Sequence, residues 1–145
     1  MTNKELGPWG EIASALKADL VNFEVAETRY GEDLLVHLPV SYPGGAGVVV
    51  RVMKYVAGYY VSDMGYGARE AEEISATLEY MDAARARARA AGVHFEYTNV
   101  CYYDASADQL AGVIQTVAEV SVSACREVFA EEGKDETKQT KESRR

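Results

Sequence analysis

The chain reads as an α+β domain: an N-terminal helix, a four-stranded antiparallel meander, a helix, a short strand or hairpin, and a long C-terminal helix. Three observations predict it. Apolar residues recur at spacings of three and four in three stretches, they alternate with polar residues between the first and second of these, and glycine-rich turns punctuate the alternating part.

The first helix is expected from about Pro8 to Leu20, because Trp9, Ile12, Ala13, Leu16 and Leu20 line one face and Pro8 suits a first turn where its missing N–H costs nothing. Four strands follow. Phe23 and Val25 flank Glu24; Leu34, Val36 and Leu38 alternate with Leu35 and His37; Val48, Val50 and Val52 alternate with Val49, Arg51 and Met53; Tyr59 to Ser62 completes the set. Turn formers separate them at Tyr30-Gly31-Glu32-Asp33, Tyr42-Pro43-Gly44-Gly45-Ala46-Gly47 and Ala57-Gly58. The second helix is expected from Ala68 to just before Gly92, with Ala71, Ile74, Leu78 and Met81 on its stripe. Its acidic residues lead and Arg85, Arg87 and Arg89 trail, the order that favours the helix dipole. Val93 to Tyr103 is expected to be a strand or small hairpin turning at Thr98-Asn99. The third helix opens at Ser106 with Gln109 at the capping-box spacing and carries Leu110, Val113, Ile114, Val117, Ser121, Ala124, Cys125 and Val128 on one side.

At 145 residues, 48% hydrophobic and 26% charged, the chain is expected to form one domain over residues 1–132. The stretch from Gly133 to Arg145 has no apolar residue to bury and is expected to be a disordered polar tail. Apolar runs such as Val48-Val49-Val50 fall far short of the roughly 20 residues that span a bilayer, so no membrane-crossing helix is expected. The opening residues Met1-Thr2-Asn3-Lys4-Glu5 lack a basic start followed by an apolar segment, which makes a cytoplasmic location the expectation. A net charge of −8 disfavours direct binding to a nucleic-acid backbone and favours a protein partner with a basic surface. Cys101 and Cys125 have no CxxC spacing and no histidine at ligand spacing, so both are expected to be core thiols.

The most distinctive stretch is Gly58-Tyr59-Tyr60-Val61-Ser62-Asp63-Met64-Gly65-Tyr66, a strand running through Asp-x-Gly into a helix. In such a turn Asp63 accepts backbone N–H bonds and Gly65 takes a positive φ without steric cost. With the preceding meander, the helix that follows and the later helix start at Asp108-Gln109-Leu110, it resembles a family of small bacterial and phage domains of unknown function over Asn22 to Phe129. Asp63, Gly65 and Tyr66 carry that resemblance, and Met64 stands where a second acidic residue is usual. The resemblance implies an association with phages or mobile elements and no established chemistry.

Catalytic patterns are incomplete wherever they begin. Ser14-Ala15-Leu16-Lys17 matches S-x-x-K but lacks the partner motifs that activate such a serine. His94-Phe95-Glu96 matches the H-x-E of zinc deaminases without the P-C-x-x-C that completes the metal site. Gly65-Tyr66-Gly67 lacks a third glycine and follows an antiparallel meander, the wrong supersecondary unit for a dinucleotide site. His37 and His94 alternate with apolar neighbours and are expected to face outward. A metal-dependent nuclease is the one rival from an enzyme class: Glu11, Asp33 and the strand Arg51-Val52-Met53-Lys54 follow its order, but Arg51 stands where a carboxylate has to bind the cation.

Ten tyrosines against three phenylalanines mark a chain rich in amphipathic contact area, the composition of interfaces. The negative charge is uneven, with six Lys/Arg against thirteen Asp/Glu in residues 1–84. Glu24, Glu27, Glu32 and Asp33, with Glu70, Glu72 and Glu73 after the Asp63 turn, are candidates for one acidic face. The expected function is therefore non-catalytic binding of a macromolecule, as a phage or mobile-element regulator or inhibitor of a host system of the anti-defence type. The binding residues assigned are Tyr59, Tyr60, Asp63, Tyr66, Glu70, Glu72 and Glu73; no catalytic residue, metal ligand or cofactor is assigned, and a homodimer stays open.

Overall fold

Alternating valines and leucines give the central strands one apolar face, and the helices pack on that face. The computed structural model describes residues 22–28 and 31–143; the helix expected at 8–20 lies outside them. The strands are β1 (Asn22–Thr28), β2 (Gly31–Ser41), β3 (Gly47–Tyr55), β4 (Gly58–Ser62), β5 (His94–Glu96) and β6 (Asn99–Ala105). The helices are α1 (Tyr66–Glu73), α2 (Thr77–Ala91) and α3 (Leu110–Ser143), the last preceded by a single 3-10 turn at Ala107–Gln109.

All neighbouring strands are antiparallel, in the order β1-β2-β3-β4-β6-β5. The α+β class and the long C-terminal helix are as expected, but the strand count is corrected. The expectation is a four-stranded meander and, after a helix, a short strand or hairpin; the structure has the hairpin, and it adds to the meander, pairing Val61 with Tyr102 and Ser62 with Cys101, and makes one six-stranded sheet. Pairing with β6 satisfies backbone groups that β4 would otherwise leave open at an edge. The hairpin turns at Tyr97 and Thr98, whose φ values of 51° and 68° are both left-handed, one residue earlier than expected.

The helix expected from Ala68 to Gly92 is broken in two. Ser75 takes a φ of 56°, and the N–H groups of Ser75 and Ala76 close back on the carbonyls of Glu72 and Ala71 at 3.0 and 2.9 Å, a left-handed helix stop. The break resets the buried stripe. Tyr80, Ala84 and Ala88 face the core of α2, whereas Leu78, expected on the stripe, is 74% exposed. In α3 the capping box is present, with Gln109 N–H donating to Ser106 Oγ at 3.3 Å and Ser106 N–H donating to Gln109 Oε1 at 3.1 Å. The expected stripe of α3 is buried at Leu110, Ile114, Val117, Ser121, Ala124, Cys125 and Val128. The α3 backbone is helical to Ser143, which takes in most of the stretch from Gly133. Its glutamates, lysines and glutamine favour helix.

The core lies between one sheet face, represented by Leu34, Val36, Val50, Val52, Val61 and Val100, and the helix residues Ala71, Tyr80, Ile114 and Val117. Gly67 is where this packing is tightest. A Cβ there would stand 2.2 Å from the Tyr80 hydroxyl and 2.6 Å from Ser121 Oγ, and both side chains are fully buried. Gly67→Ala is therefore expected to lower stability by about 2 kcal/mol through overpacking, read as a shifted urea midpoint. A wild-type midpoint would contradict the packing around α1.

Candidate functional site

The Asp-x-Gly turn is built as its residue types require. Asp63 is fully buried and its carboxylate gathers three donors: Gly65 N–H and Val100 N–H reach Oδ1 at 2.9 Å each, and Ser121 Oγ–H reaches Oδ2 at 2.7 Å. Tyr42 then donates to Ser121 Oγ at 2.9 Å, since the serine proton is directed at Asp63. Met64 and Gly65 both have positive φ, 59° and 73°, so the chain reverses within two residues and enters α1. Burial outweighs the hydrogen bonds from Ser121, Gly65 and Val100 and raises the Asp63 carboxyl above its usual range.

A second carboxylate lies close by. Glu70 on α1 is 9% exposed, its Oε1 is buried without a hydrogen-bond partner among the described residues, and the site facing it is Gly44 in the β2–β3 turn. Burial, then the neighbouring charge of Glu73, pushes its carboxyl up.

The seven residues assigned from sequence do not share one surface. Tyr59 and Tyr66 pack against the helix-side core, Asp63 and Glu70 are buried, and Glu72 and Glu73 are exposed on α1. Tyr60 alone faces the other side of the sheet, because it neighbours Val61 and successive side chains alternate. The larger acidic face is divided too. Glu24 accepts from His37 at 3.0 Å, and Asp33, 4% exposed, is held by the Arg51 guanidinium across the β2–β3 pair.

The face opposite the core holds what the sequence assignment missed. Its β1–β3 half carries the two ion pairs just named, and its β4–β6–β5 half is aromatic. The Tyr60 and Tyr103 rings lie 5.0 Å apart, inclined by 39°, and the His94 ring is 5.6 Å from Tyr103. Tyr103 donates its hydroxyl to Glu96 Oε2 at 2.5 Å. Residues 101 and 103 share this face with His94, whose register partner is Cys101, and Cys101 is fully buried beneath the aromatic side chains. That hydrogen bond first, then burial, raises the Tyr103 phenol well above its usual value, and burial lifts Tyr60 to about 12. Both stay neutral near pH 7. The signal for His94, Glu96, Cys101 and Tyr103 was their parity along the hairpin, which a turn at Thr98-Asn99 gives as well; that Tyr60 joins them depends on the β4–β6 pairing.

The nuclease pattern meets an obstacle in the same geometry, since Arg51 closes on Asp33 and takes the carboxylate a cation would need. Among the described residues no group of three or more His, Cys, Asp or Glu is placed to hold a metal ion, and no helix is long and apolar enough to cross a membrane. Both cysteines are free and buried, and Cys125 Sγ–H donates to the Gly67 carbonyl at 3.2 Å. No family model matches the chain, and comparison with curated proteins and with solved structures finds no match.

Asp63→Ala leaves three buried donors unmet and is expected to cost about 3 kcal/mol, whereas Asp63→Asn keeps Oδ1 as acceptor and lets Ser121 rotate, costing about 1 kcal/mol. Because the folded carboxyl is raised above its unfolded value near 3.9, its contribution is fully present below that pH and declines as pH rises through the folded value. Wild type should therefore lose stability relative to Asp63→Asn between about pH 4 and neutrality. Parallel urea-midpoint curves for the two proteins would contradict this.

Proposed function

We propose that the chain is a non-catalytic protein-binding domain that docks its partner on the aromatic half of the sheet face opposite the core. The observation that carries this reading is the exposure of a large ring there, Tyr103, 42% exposed beside Tyr60, with Tyr97 in the adjoining β5–β6 turn 93% exposed. Tyrosine brings large contact area with few rotatable bonds, so rings already ordered in the free protein lose little freedom on docking. The exposed acidic residues of α1, Glu72 and Glu73, together with the net charge of −8, favour encounter with a basic partner. The biological setting, a phage or mobile-element regulator or inhibitor of a host system, belongs to this proposal through the resemblance of the Asp63–Tyr66 turn.

Capture from a lysate of the source organism tests it when done in parallel with three baits. A partner retained by wild type and by Leu78→Ala, a change at an exposed position on α2, should bind the Tyr97→Ala/Tyr103→Ala protein about tenfold more weakly or worse. Equal retention by all three would remove the aromatic face as the docking surface.

A further inference from the structure

Two rings on other parts of the surface already carry an arginine of this chain. The Arg69 guanidinium lies 5.3 Å from the centre of the Tyr66 ring, and that of Arg85 lies 5.8 Å from the centre of Phe95. The double ring of Tyr60 and Tyr103 has no such cation over it among the described residues. It does have a carboxylate at its edge. On this face Glu24 is paired with His37 and Asp33 with Arg51, whereas among the described residues Glu96 has the neutral Tyr103 hydroxyl and no cation.

We propose that Tyr60, Tyr103 and Glu96 form a receptor for an arginine side chain of the partner. The proposal rests on the aromatic face being the docking surface and names the group that surface selects. Tyr103, 42% exposed, leans on Tyr60 with the ring centres 5.0 Å apart and the planes inclined by 39°, and on its ring a planar guanidinium would lie flat with an N–H edge directed at the carboxylate. Lysine fits less well, because its ammonium is a compact, strongly hydrated charge that cannot stack or form a two-pronged pair. The phenols are held neutral by burial and by the Glu96 bond, so the rings present their π faces without titrating near pH 7. The pair formed with Glu96 would leave that carboxylate as satisfied as its neighbours on β1 and β2.

Nuclear magnetic resonance of the 15N-labelled full-length protein tests this at low salt with two probes, acetyl-Gly-Arg-Gly-amide and acetyl-Gly-Lys-Gly-amide. The arginine probe should shift amides of β4, β5 and β6, the lysine probe should bind about threefold or more weakly, and Glu96→Gln should weaken the arginine probe about fivefold. Glu96 is at a half-exposed strand position outside the core cluster, so this variant keeps the fold. Shifts centred on Glu72 and Glu73 of α1, equal binding of the two probes, or unchanged affinity in Glu96→Gln would each overturn the receptor. With a captured partner in hand the two readings separate. A partner that requires Tyr97 and Tyr103 but binds Glu96→Gln as well as wild type overturns the arginine receptor and leaves the docking face standing; one indifferent to both tyrosines overturns the docking face itself.

Discussion

The Asp63 carboxylate accepts from the backbone at Gly65 and Val100 and from the Ser121 hydroxyl, and through these three bonds it ties the start of α1, strand β6 and the middle of α3 to the end of β4. These partners are 2, 37 and 58 residues away in sequence, so one side chain joins a local turn to two distant elements. Ser121 passes the connection on to Tyr42, next to the β2–β3 turn. The bonds do not fully offset the desolvation of the carboxylate, whose protonated form is favoured by burial. Asp63 thus acts more as a specifier than as a source of net stability, fixing which element meets which; the apolar core supplies the driving force.

Close packing around this hub depends on small groups. Gly67 lets the Tyr80 ring and Ser121 approach the α1 backbone, and its carbonyl accepts from Cys125 on the same side. The break between α1 and α2 serves the same packing, because a continuous helix would present Leu78 where the structure presents Tyr80. Tyr80 then meets Phe95 edge-on at 6.1 Å, which couples α2 to the short strand β5.

The sheet separates two tasks by the parity of its strands. Residues of one parity build the core, and those of the other carry ion pairs on β1 to β3 and aromatic rings on β4 to β5. Folding and the proposed contact surface therefore draw on different side chains of the same strands. Substitutions at Tyr103 or Glu96 act on the surface without entering the core cluster, which makes the proposed arginine receptor separable from folding.

Local chemistry was legible in the residues themselves. The capping box at Ser106 and Gln109, the positive φ at Gly65, the acceptor role of Asp63 and the alternation of β2 and β3 each depend on neighbours within a few positions, and a sequence displays those directly. The helix break at Ser75 was hidden, because an apolar stripe from Ala71 to Met81 fits an unbroken helix and only the space left for Tyr80 decides against it. Likewise the acidic and tyrosine residues gathered as one site are divided between core and both sheet faces, since adjacent residues such as Tyr59 and Tyr60 point to opposite sides. By itself the sequence determined the α+β class, the turn at Asp63 and the long last helix. The tertiary structure decided that the hairpin joins the sheet through β6, that Asp63 is buried against Ser121, and that Tyr60, Tyr103 and Glu96 come together, because those contacts join positions too far apart in the chain for any local pattern to record.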